Sequence, residues 1–263
     1  MFLFQQNSKK ISFKNEHHLV QTRHIDDYDI VYAIGDIHGC IDKLRNLEKK
    51  ILSDYSLHPN HKAIIICLGD YVDRGPNSAH VLDHFSKPFD NGINRILIRG
   101  NHDDMFERFI SSPKRNLSWL EIGGLQTLQS YGIFKSAKDL RSMRASELKI
   151  LLLATIPQDH FALLRSMVDA IFWEHYVFCH AGIDPDKKIS EQTRKDFLWS
   201  RNEFMRSTKD FGLTVVHGHT PVGAPEIKPN RISVDTFAYG GGPLSAVKIK
   251  KNDPQIDIIT SNR

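Results

Sequence analysis

The sequence predicts an α/β fold in which two mixed sheets pack face to face and helices cover their outer sides. Three observations lead to this prediction. Short runs rich in Val, Ile, Leu and Phe recur along the chain, as is typical of strands buried on both faces. Apolar residues at helical spacing follow the first two runs, and short alternating runs joined by Gly, Pro and Asn fill the last third. The first observation predicts strands over residues 30–34, 63–68, 95–98, 176–179 and 213–216.

Helices are predicted after the first two strands and through the middle of the chain. Apolar residues recur at helical spacing over residues 41–51, and again over residues 81–85, which follow Pro76 in a first-turn position. Residues 104–167 are predicted to be mostly helical, including residues 139–154 and 159–167. We expect this segment to be an insertion, a helical cap above the strand tips. It would serve either as a lid that shapes substrate entry or as an inert packing unit.

Three further strands are predicted near the end of the chain, over residues 231–235, 244–250 and 256–260. The turns between them contain Gly240 to Pro243 and Asn252 to Pro254, which indicates antiparallel hairpins. Residues 1–27 are polar and histidine-rich, so an N-terminal arm or an extra strand is expected there. No composition shift divides residues 28–263, which are therefore predicted to form one domain.

Five short acidic or histidine-containing motifs stand where the predicted strands end. Successive strand tips of an open α/β sheet are neighbours in space although they are distant in sequence, so residues 36, 70, 101, 180 and 219 are expected to converge. Carboxylate, imidazole and amide ligands together suit two adjacent divalent cations, which hydrolyse phosphate esters. The motifs are GDIHG at 35–39, GDYVDRG at 69–75, GNHD at 100–103, HAG at 180–182 and GHT at 218–220.

A single Gly-Asp pair has a simpler explanation, because Gly and Asp are common where a strand turns into a loop or a helix begins. Five such motifs in one chain, alternating with predicted strands, favour a shared site over ordinary turn chemistry. His217 is a separate case. It lies two residues before His219, and strand alternation would turn both side chains the same way only if the strand continued through Gly218. We interpret His217 as a structural residue.

These motifs, in this order, resemble the PPP-type serine/threonine protein phosphatases, in particular the phage and bacterial branch of the calcineurin-like metallophosphoesterases. The resemblance runs from about Tyr28 to about Lys250. It implies an αββα sandwich and makes residues 28–263 a metallophosphoesterase catalytic domain. It also implies two metal ions, for which Mn²⁺ is expected and Fe or Zn are alternatives. The implied metal ligands are Asp36 and His38 for the first ion, Asp70 for both, and Asn101, His180 and His219 for the second.

The resemblance assigns further roles near the metals. His102 would be the general acid that protonates the departing oxygen, and Asp73 would pair with its imidazole, orienting the ring and raising its pKa. Arg74 would clamp the phosphate, since a guanidinium suits bidentate contact with two phosphoryl oxygens. Arg201, in a Leu-Trp-Ser-Arg segment, is a second phosphate-binding candidate. Alternatively it is a surface arginine that covers apolar area beside Trp199.

The implied activity is dephosphorylation of phosphoserine or phosphothreonine in proteins, by direct attack of a hydroxide that bridges the two metals. Nucleases of the wider superfamily usually carry GHxH, but Pro221 stands at the second histidine position here and cannot coordinate. Symmetrical dinucleoside tetraphosphate hydrolases share GDIHGC and HAGI but resemble GDLVARG, with alanine in place of Asp73. They remain the first alternative. A catalytically silent phosphopeptide-binding or metal-binding module is the second, and a binder would not need a general acid at His102.

Composition agrees with one globular enzyme. The chain has 263 residues, of which 40% are hydrophobic and 25% charged. Its net charge of +4 is modest and its Lys and Arg residues are scattered among acids, so no nucleic-acid partner is expected, although phosphorylated substrates would be attracted. Three cysteines, an odd number, favour a reduced, cytoplasmic protein. The initial MFLF is too short for a secretory signal, and no apolar run is long enough for a membrane span. The oligomeric state is not decided by the sequence.

Overall fold

A computed structural model describes residues 20–89 and 92–262, and it contains two mixed β-sheets. The six-stranded sheet has the order β1 (Thr22–His24), β5 (Ala170–Trp173), β6 (Tyr176–Cys179), β7 (Thr214–His217), β9 (Arg231–Ser233) and β8 (Glu226–Lys228). The five-stranded sheet has the order β11 (Ile256–Thr260), β10 (Ser245–Lys250), β2 (Ile30–Ile34), β3 (Ala63–Cys67) and β4 (Asn94–Leu97).

Each sheet combines a parallel centre with antiparallel pairs. Strands β2, β3 and β4 are parallel, whereas β10 runs antiparallel to both β2 and β11. In the other sheet β6, β7 and β9 are parallel, and β5 is antiparallel to β6. The prediction of two mixed sheets is therefore confirmed.

Helices cover the outer faces, and three hydrophobic clusters mark the layers. Alternate residues of β2 divide between them: Tyr32 faces the helices, while Val31 faces the other sheet and packs in one cluster with Phe178. Phe197 and Phe204 cover the far side of the six-stranded sheet. The result is an αββα arrangement. The helices are α1 (Ile41–Tyr55), α2 (Ser78–Ser86), α3 (Asn101–Ser111), α4 (Gly124–Ser130), α5 (Ala137–Ser142), α6 (Ala145–Thr155), α7 (Gln158–Ser166), α8 (Arg194–Trp199) and α9 (Asn202–Arg206).

The segment predicted as a helical cap packs into the layer of helices that covers the five-stranded sheet. Its buried residues, among them Phe109, Leu148 and Leu164, belong to the same cluster as Leu44 of α1. Residues 139–154, predicted to be mostly helical, belong to the two helices α5 and α6 with an interruption between them. The backbone is extended at Met143 and at Arg144, and the backbone N–H of Arg144 donates to the carboxylate of Glu147, which starts a new helix.

Two strands, β5 and β8, were not predicted, whereas the edge strand β1 agrees with the extra strand that was one expectation for residues 1–27. Strand β1 pairs in parallel with β5 and lies within the predicted N-terminal arm, of which residues 1–19 fall outside the described residues. The division into an arm and a catalytic domain remains a prediction. None of the helices in the described part of the chain is long and apolar enough to cross a bilayer.

Candidate metal centre and active site

The six predicted metal ligands all leave the ends of strands and are buried. Asp36 and His38 follow β2, Asp70 follows β3, Asn101 opens α3 after β4, His180 follows β6 directly, and His219 follows β7. None of the six exceeds 6% exposure. Polar side chains of this kind are rarely buried unless they are paired or hold a metal, so their burial marks a functional site.

The described residues form two candidate metal-binding clusters that share Asp70. The first contains His38, Asp70 and His102, and the second contains Asp70, His180 and His219; within each cluster the ligand atoms lie within 4.8 Å of one another. Asn101 joins the second cluster, with its Oδ1 2.8 Å from His180 Nε2. A carboxylate common to both clusters is the geometry that a two-metal site requires.

Asp36 lies against the same clusters. Its Oδ1 accepts the backbone N–H of His219 at 3.0 Å. Gly218 makes this approach feasible, because a Cβ there would lie 2.0 Å from Asp36 Oδ1. The structure thus brings all six predicted ligands together. It also places the imidazole of His102, which was predicted to act as an acid, within reach of the first cluster.

The histidine tautomers show that the donor set fits a divalent cation. His38 Nδ1 lies 2.7 Å from the carbonyl of Val72, and His180 Nδ1 lies 2.9 Å from the carbonyl of Leu68, so each Nδ1–H donates outwards. Burial lowers the pKa of both histidines, that of His38 to about 3, which keeps the rings neutral. Each Nε2 then directs a lone pair at another acceptor, Asp70 Oδ2 at 3.4 Å or Asn101 Oδ1 at 2.8 Å. A cation between such atoms would satisfy them.

The buried carboxylates point to the same need for positive charge. Burial raises the pKa of Asp36 well above its ordinary value, and repulsion from Asp235 and Asp70 adds to the effect. Burial and the charge of Asp70 raise the pKa of Asp235 to about 6. Three acidic groups are crowded into one buried site, and bound cations would reverse the repulsion among them.

Backbone strain is concentrated at this site. His38, Asp70, Asp73, Arg74 and His219 all have positive φ, between 42° and 72°, in the left-handed region that residues with side chains seldom adopt. Each such residue costs on the order of 1–3 kcal/mol and persists only where its surroundings enforce it. The carboxylate of Asp103 contributes to that enforcement, because it accepts the backbone N–H groups of Gly100, Asp70 and Tyr71.

His102 and Asp73 form a buried dyad beside the first cluster. His102 Nδ1 lies 2.6 Å from Asp73 Oδ2. The other contacts of the carboxylate come from the predicted cap, with the indole N–H of Trp119 donating at 2.7 Å and the hydroxyl of Thr127 at 2.6 Å. Burial alone would lower the pKa of His102, but the charges of Asp70 and Asp73 outweigh it and raise that pKa. The imidazole is thereby suited to carry a proton near neutral pH.

The two predicted phosphate-binding arginines reach different parts of the centre. One Nη of Arg74 lies 3.0 Å from His102 Nε2, and the other donates to the hydroxyl of Tyr239 at 2.6 Å. Nε of Arg201 donates to Nε2 of His219 at 2.9 Å. Arg74 therefore stands beside the first cluster and Arg201 beside the second.

Several site residues received no role from the sequence. Asp235 crowds the metal ligands, and Tyr239 holds Arg74 and places its ring 4.9 Å from that of His38. The signal that could have found Tyr239 is its place in the glycine-rich loop that follows the predicted strand over residues 231–235. His217, interpreted as structural, lies at the end of β7 and contacts Ser233 Oγ at 3.0 Å, outside both clusters.

A two-sheet sandwich with carboxylate and imidazole clusters at its strand tips defines a metal-dependent phosphoesterase. The model of the calcineurin-like phosphoesterase family matches residues 30–261, and the chain belongs to this family. The predicted hydrolase and metal-binding character agree with that membership. The PPP type and the specificity for phosphoserine or phosphothreonine remain predictions.

Individual similarities extend over most of the chain. An asymmetrical bis(5'-nucleosyl)-tetraphosphatase of Anoxybacillus flavithermus is 28% identical over 84% of this chain and 89% of its own length. The crystal structure of a putative diadenosine tetraphosphatase superposes with a TM-score of 0.61 at 20% identity, covering 92% of this chain and 99% of that one. A cold-active protein tyrosine phosphatase superposes with a TM-score of 0.59 at 19% identity, covering 95% and 88%. The two structures support the fold.

Proposed function

We propose that the protein hydrolyses dinucleoside tetraphosphates at a dinuclear metal centre. The observation that carries the proposal is the placement of Arg74 and Arg201, one guanidinium beside each metal-ligand cluster. A phosphate chain carries several negative charges along its length, so cationic contacts at both sides of the centre suit it. The similarity to bis(5'-nucleosyl)-tetraphosphatases over 84% of the chain supports the same substrate class.

The residues divide the chemistry between them. Asp36, His38, Asp70, Asn101, His180 and His219 would hold two divalent ions, which act as Lewis acids and supply an acidified water when they are bound. Arg74 would bind the oxygens of the phosphoryl group under attack, with Tyr239 fixing its guanidinium. Arg74 donates to Nε2 of His102 in this structure, so Nε2 would carry a proton only once that guanidinium has turned to the phosphoryl oxygens. His102 would then give this proton to the departing oxygen, while Asp73 holds its Nδ1.

The test is a comparison of substrates on the metal-loaded protein. We expect kcat/KM for diadenosine tetraphosphate to exceed that for phosphoserine, phosphothreonine and phosphotyrosine peptides by at least about tenfold, a difference of about 1.4 kcal/mol in transition-state binding. Release of ATP with AMP would indicate asymmetrical cleavage, and release of two ADP symmetrical cleavage. Turnover of phosphopeptides without turnover of the dinucleotide would refute the proposal.

Protein dephosphorylation is the second candidate, and the dyad of His102 and Asp73 favours it. A serine alkoxide is a poor leaving group that must be protonated as it departs, whereas a nucleotide phosphate departs readily as an anion. A buried acid whose pKa is raised by two carboxylates is therefore of most use to a phosphomonoesterase. The same substrate comparison separates the two candidates. A protein that bound metals and phosphopeptides but turned over no substrate would instead be a silent binding module.

A further inference from the structure

A cavity of about 290 Å³ lies in the surface where α8 meets α9. Its volume is near the lower end of the ~300–1,000 Å³ range of small-molecule sites, which is room for one base with its sugar. The lining is mostly polar and includes Asp184, Lys195, Trp199, Arg201, Asn202 and Glu203. None of these residues is among the six predicted metal ligands.

The cavity borders the second metal-ligand cluster through Arg201. Arg201 lines it and also donates through Nε to His219 Nε2 at 2.9 Å. The indole ring of Trp199 stands 6.3 Å from the imidazole of His219, edge to face. If a phosphate group of a ligand bound at Arg201, the adjacent part of that ligand would therefore lie over Trp199.

Trp199 is far more exposed to solvent than the other two tryptophans of the chain. Its side chain is 42% exposed, whereas Trp119 and Trp173 are each 1% exposed. An indole that remains in contact with water at the mouth of a polar cavity offers a flat surface to a ligand, and nucleobases stack on such surfaces whatever their identity.

We propose that this cavity is a nucleoside subsite, in which Trp199 stacks against the base. The amide of Asn202 would bind the base edge, and the carboxylates of Asp184 and Glu203 would accept the ribose hydroxyls. The inference rests on the proposed function, since it names the part of the chain that holds one nucleoside of a dinucleoside tetraphosphate. Arg201 then joins the nucleoside to the phosphate chain.

The experiment compares two ligands that differ only by the base. AMP and ribose 5-phosphate are titrated calorimetrically into the Mn²⁺-loaded protein. We expect AMP to bind at least about 10-fold more tightly, and Trp199→Ala to weaken AMP binding by about 10- to 100-fold, the usual contribution of base stacking on an aromatic ring. Trp199→Phe should keep most of the preference. Leu153→Ala is the matched control, because Leu153 is 44% exposed on α6, away from the cavity.

Equal affinities of AMP and ribose 5-phosphate for the wild type would overturn the subsite, and so would an unchanged preference in Trp199→Ala. Loss of phosphopeptide binding but not of AMP binding in that variant would show that the cavity holds a peptide instead. The proposed activity can be refuted independently of the nucleoside subsite. A protein that prefers AMP through Trp199 but does not cleave diadenosine tetraphosphate would retain the subsite and refute the activity.

Discussion

Asp70 is the residue on which both metal-ligand clusters depend. Its two carboxylate oxygens approach different histidines, Oδ2 approaching His38 and Oδ1 approaching His180. Asp70→Asn should therefore abolish turnover and reduce occupancy of both ions, whereas His219→Ala should chiefly empty one site. Metal analysis of the purified variants by mass spectrometry checks this. Two fully occupied ions in an active Asp70→Asn protein would show that Asp70 does not bridge.

Replacement of His102 tests whether its imidazole acts as the general acid. We expect His102→Asn to lower kcat by about 10²- to 10⁴-fold for a phosphoserine peptide, the usual contribution of a positioned acid, and much less for p-nitrophenyl phosphate. The phenolate departs with little need of a proton, so less of its barrier depends on the imidazole. Asp73→Asn should lower kcat with the same dependence on the leaving group, but by a smaller factor.

The control for His102→Asn is metal content, because the ring also lies within reach of the first cluster. Equal losses of kcat on both substrates, or loss of an ion from the variant, would make His102 a ligand or a structural residue.

The convergence of residues 36, 70, 101, 180 and 219 could be predicted because their strand-end positions are visible in the printed chain. Their roles as metal ligands came from the family resemblance and remain predictions. The sequence could not show the positive φ of Asp70, since that angle is imposed by tertiary contacts such as the three backbone donors on Asp103. Tyr239 and Asp235 were missed for a related reason. They come from the loop after β9, and only packing reveals that this loop returns to the metal ligands.

At the scale of elements, α4 supports the dyad across a long sequence separation. Thr127, within α4, donates its hydroxyl to Asp73 Oδ1 at 2.6 Å. We expect Thr127→Val to lower kcat on a phosphoserine peptide by about tenfold, because a hydrogen bond to a charged group contributes about 1.5–3 kcal/mol and about 1.4 kcal/mol corresponds to a factor of ten. KM should change little, since Asp73 acts through the imidazole.

The matched control for Thr127→Val is Thr155→Val in α6, whose hydroxyl donates to the carbonyl of Leu151 within its own helix. Steady-state kinetics of the two variants side by side checks the prediction. Equal losses in both variants would indicate a general effect on the helical layer.

A hydrogen-bonded contact through His160 joins helices α2 and α7. His160 Nε2 lies 3.0 Å from Asp83 Oδ1, and its Nδ1 lies 2.6 Å from the hydroxyl of Tyr131. Burial lowers the pKa of His160 and outweighs the attraction of Asp83. The native ring is thus neutral, whereas the unfolded ring takes up a proton near pH 6.5. Stability from this group is present above that pH and is lost as the pH falls towards the lowered native pKa.

His160→Gln should therefore lower the free energy of unfolding by about 1–3 kcal/mol at pH 7, since it leaves buried partners unsatisfied. The difference between wild type and variant should shrink as the pH falls below about 6.5, because only the wild type must charge this imidazole. Urea denaturation at several pH values measures both effects. His80→Gln, on the exposed side of α2, is the control, and a pH-independent difference would contradict the argument.

Helices and strands were predicted best where the segment carried a single, uninterrupted pattern of apolar residues. Strands β2 and β6 are buried on both faces, and their bounds match the predicted ranges because a continuous apolar run has few other interpretations. Residues 139–154 are helical as predicted, but the sequence did not show their division into α5 and α6, because apolar periodicity passes through Met143 and Arg144, where the backbone is extended and capping contacts begin a new helix. The short strand β8 has only three residues and carries too little pattern to be recognised.

For the whole molecule, the sandwich places the ends of strands from both sheets at one edge, where bound metal ions would add a further link between the sheets. Asp36 and Asp70 come from the five-stranded sheet, and His180 and His219 from the six-stranded sheet. Ions held by both sets bind the native state and not the unfolded chain, so they should stabilise the fold as a unit.

We expect Mn²⁺, Fe²⁺ or Zn²⁺ added to the metal-free protein at about 100 times its dissociation constant to stabilise it by about 2.7 kcal/mol per site. For a chain of this size that corresponds to a rise in Tm of roughly 5–10 °C per site, since each kcal/mol is worth about 2–4 °C. Differential scanning calorimetry measures the shift. His219→Ala should keep about half of it, and Asp70→Asn should keep little, because that change weakens both clusters together. A Tm that none of the three ions raises, or an equal rise in Asp70→Asn, would contradict a dinuclear centre that joins the two sheets.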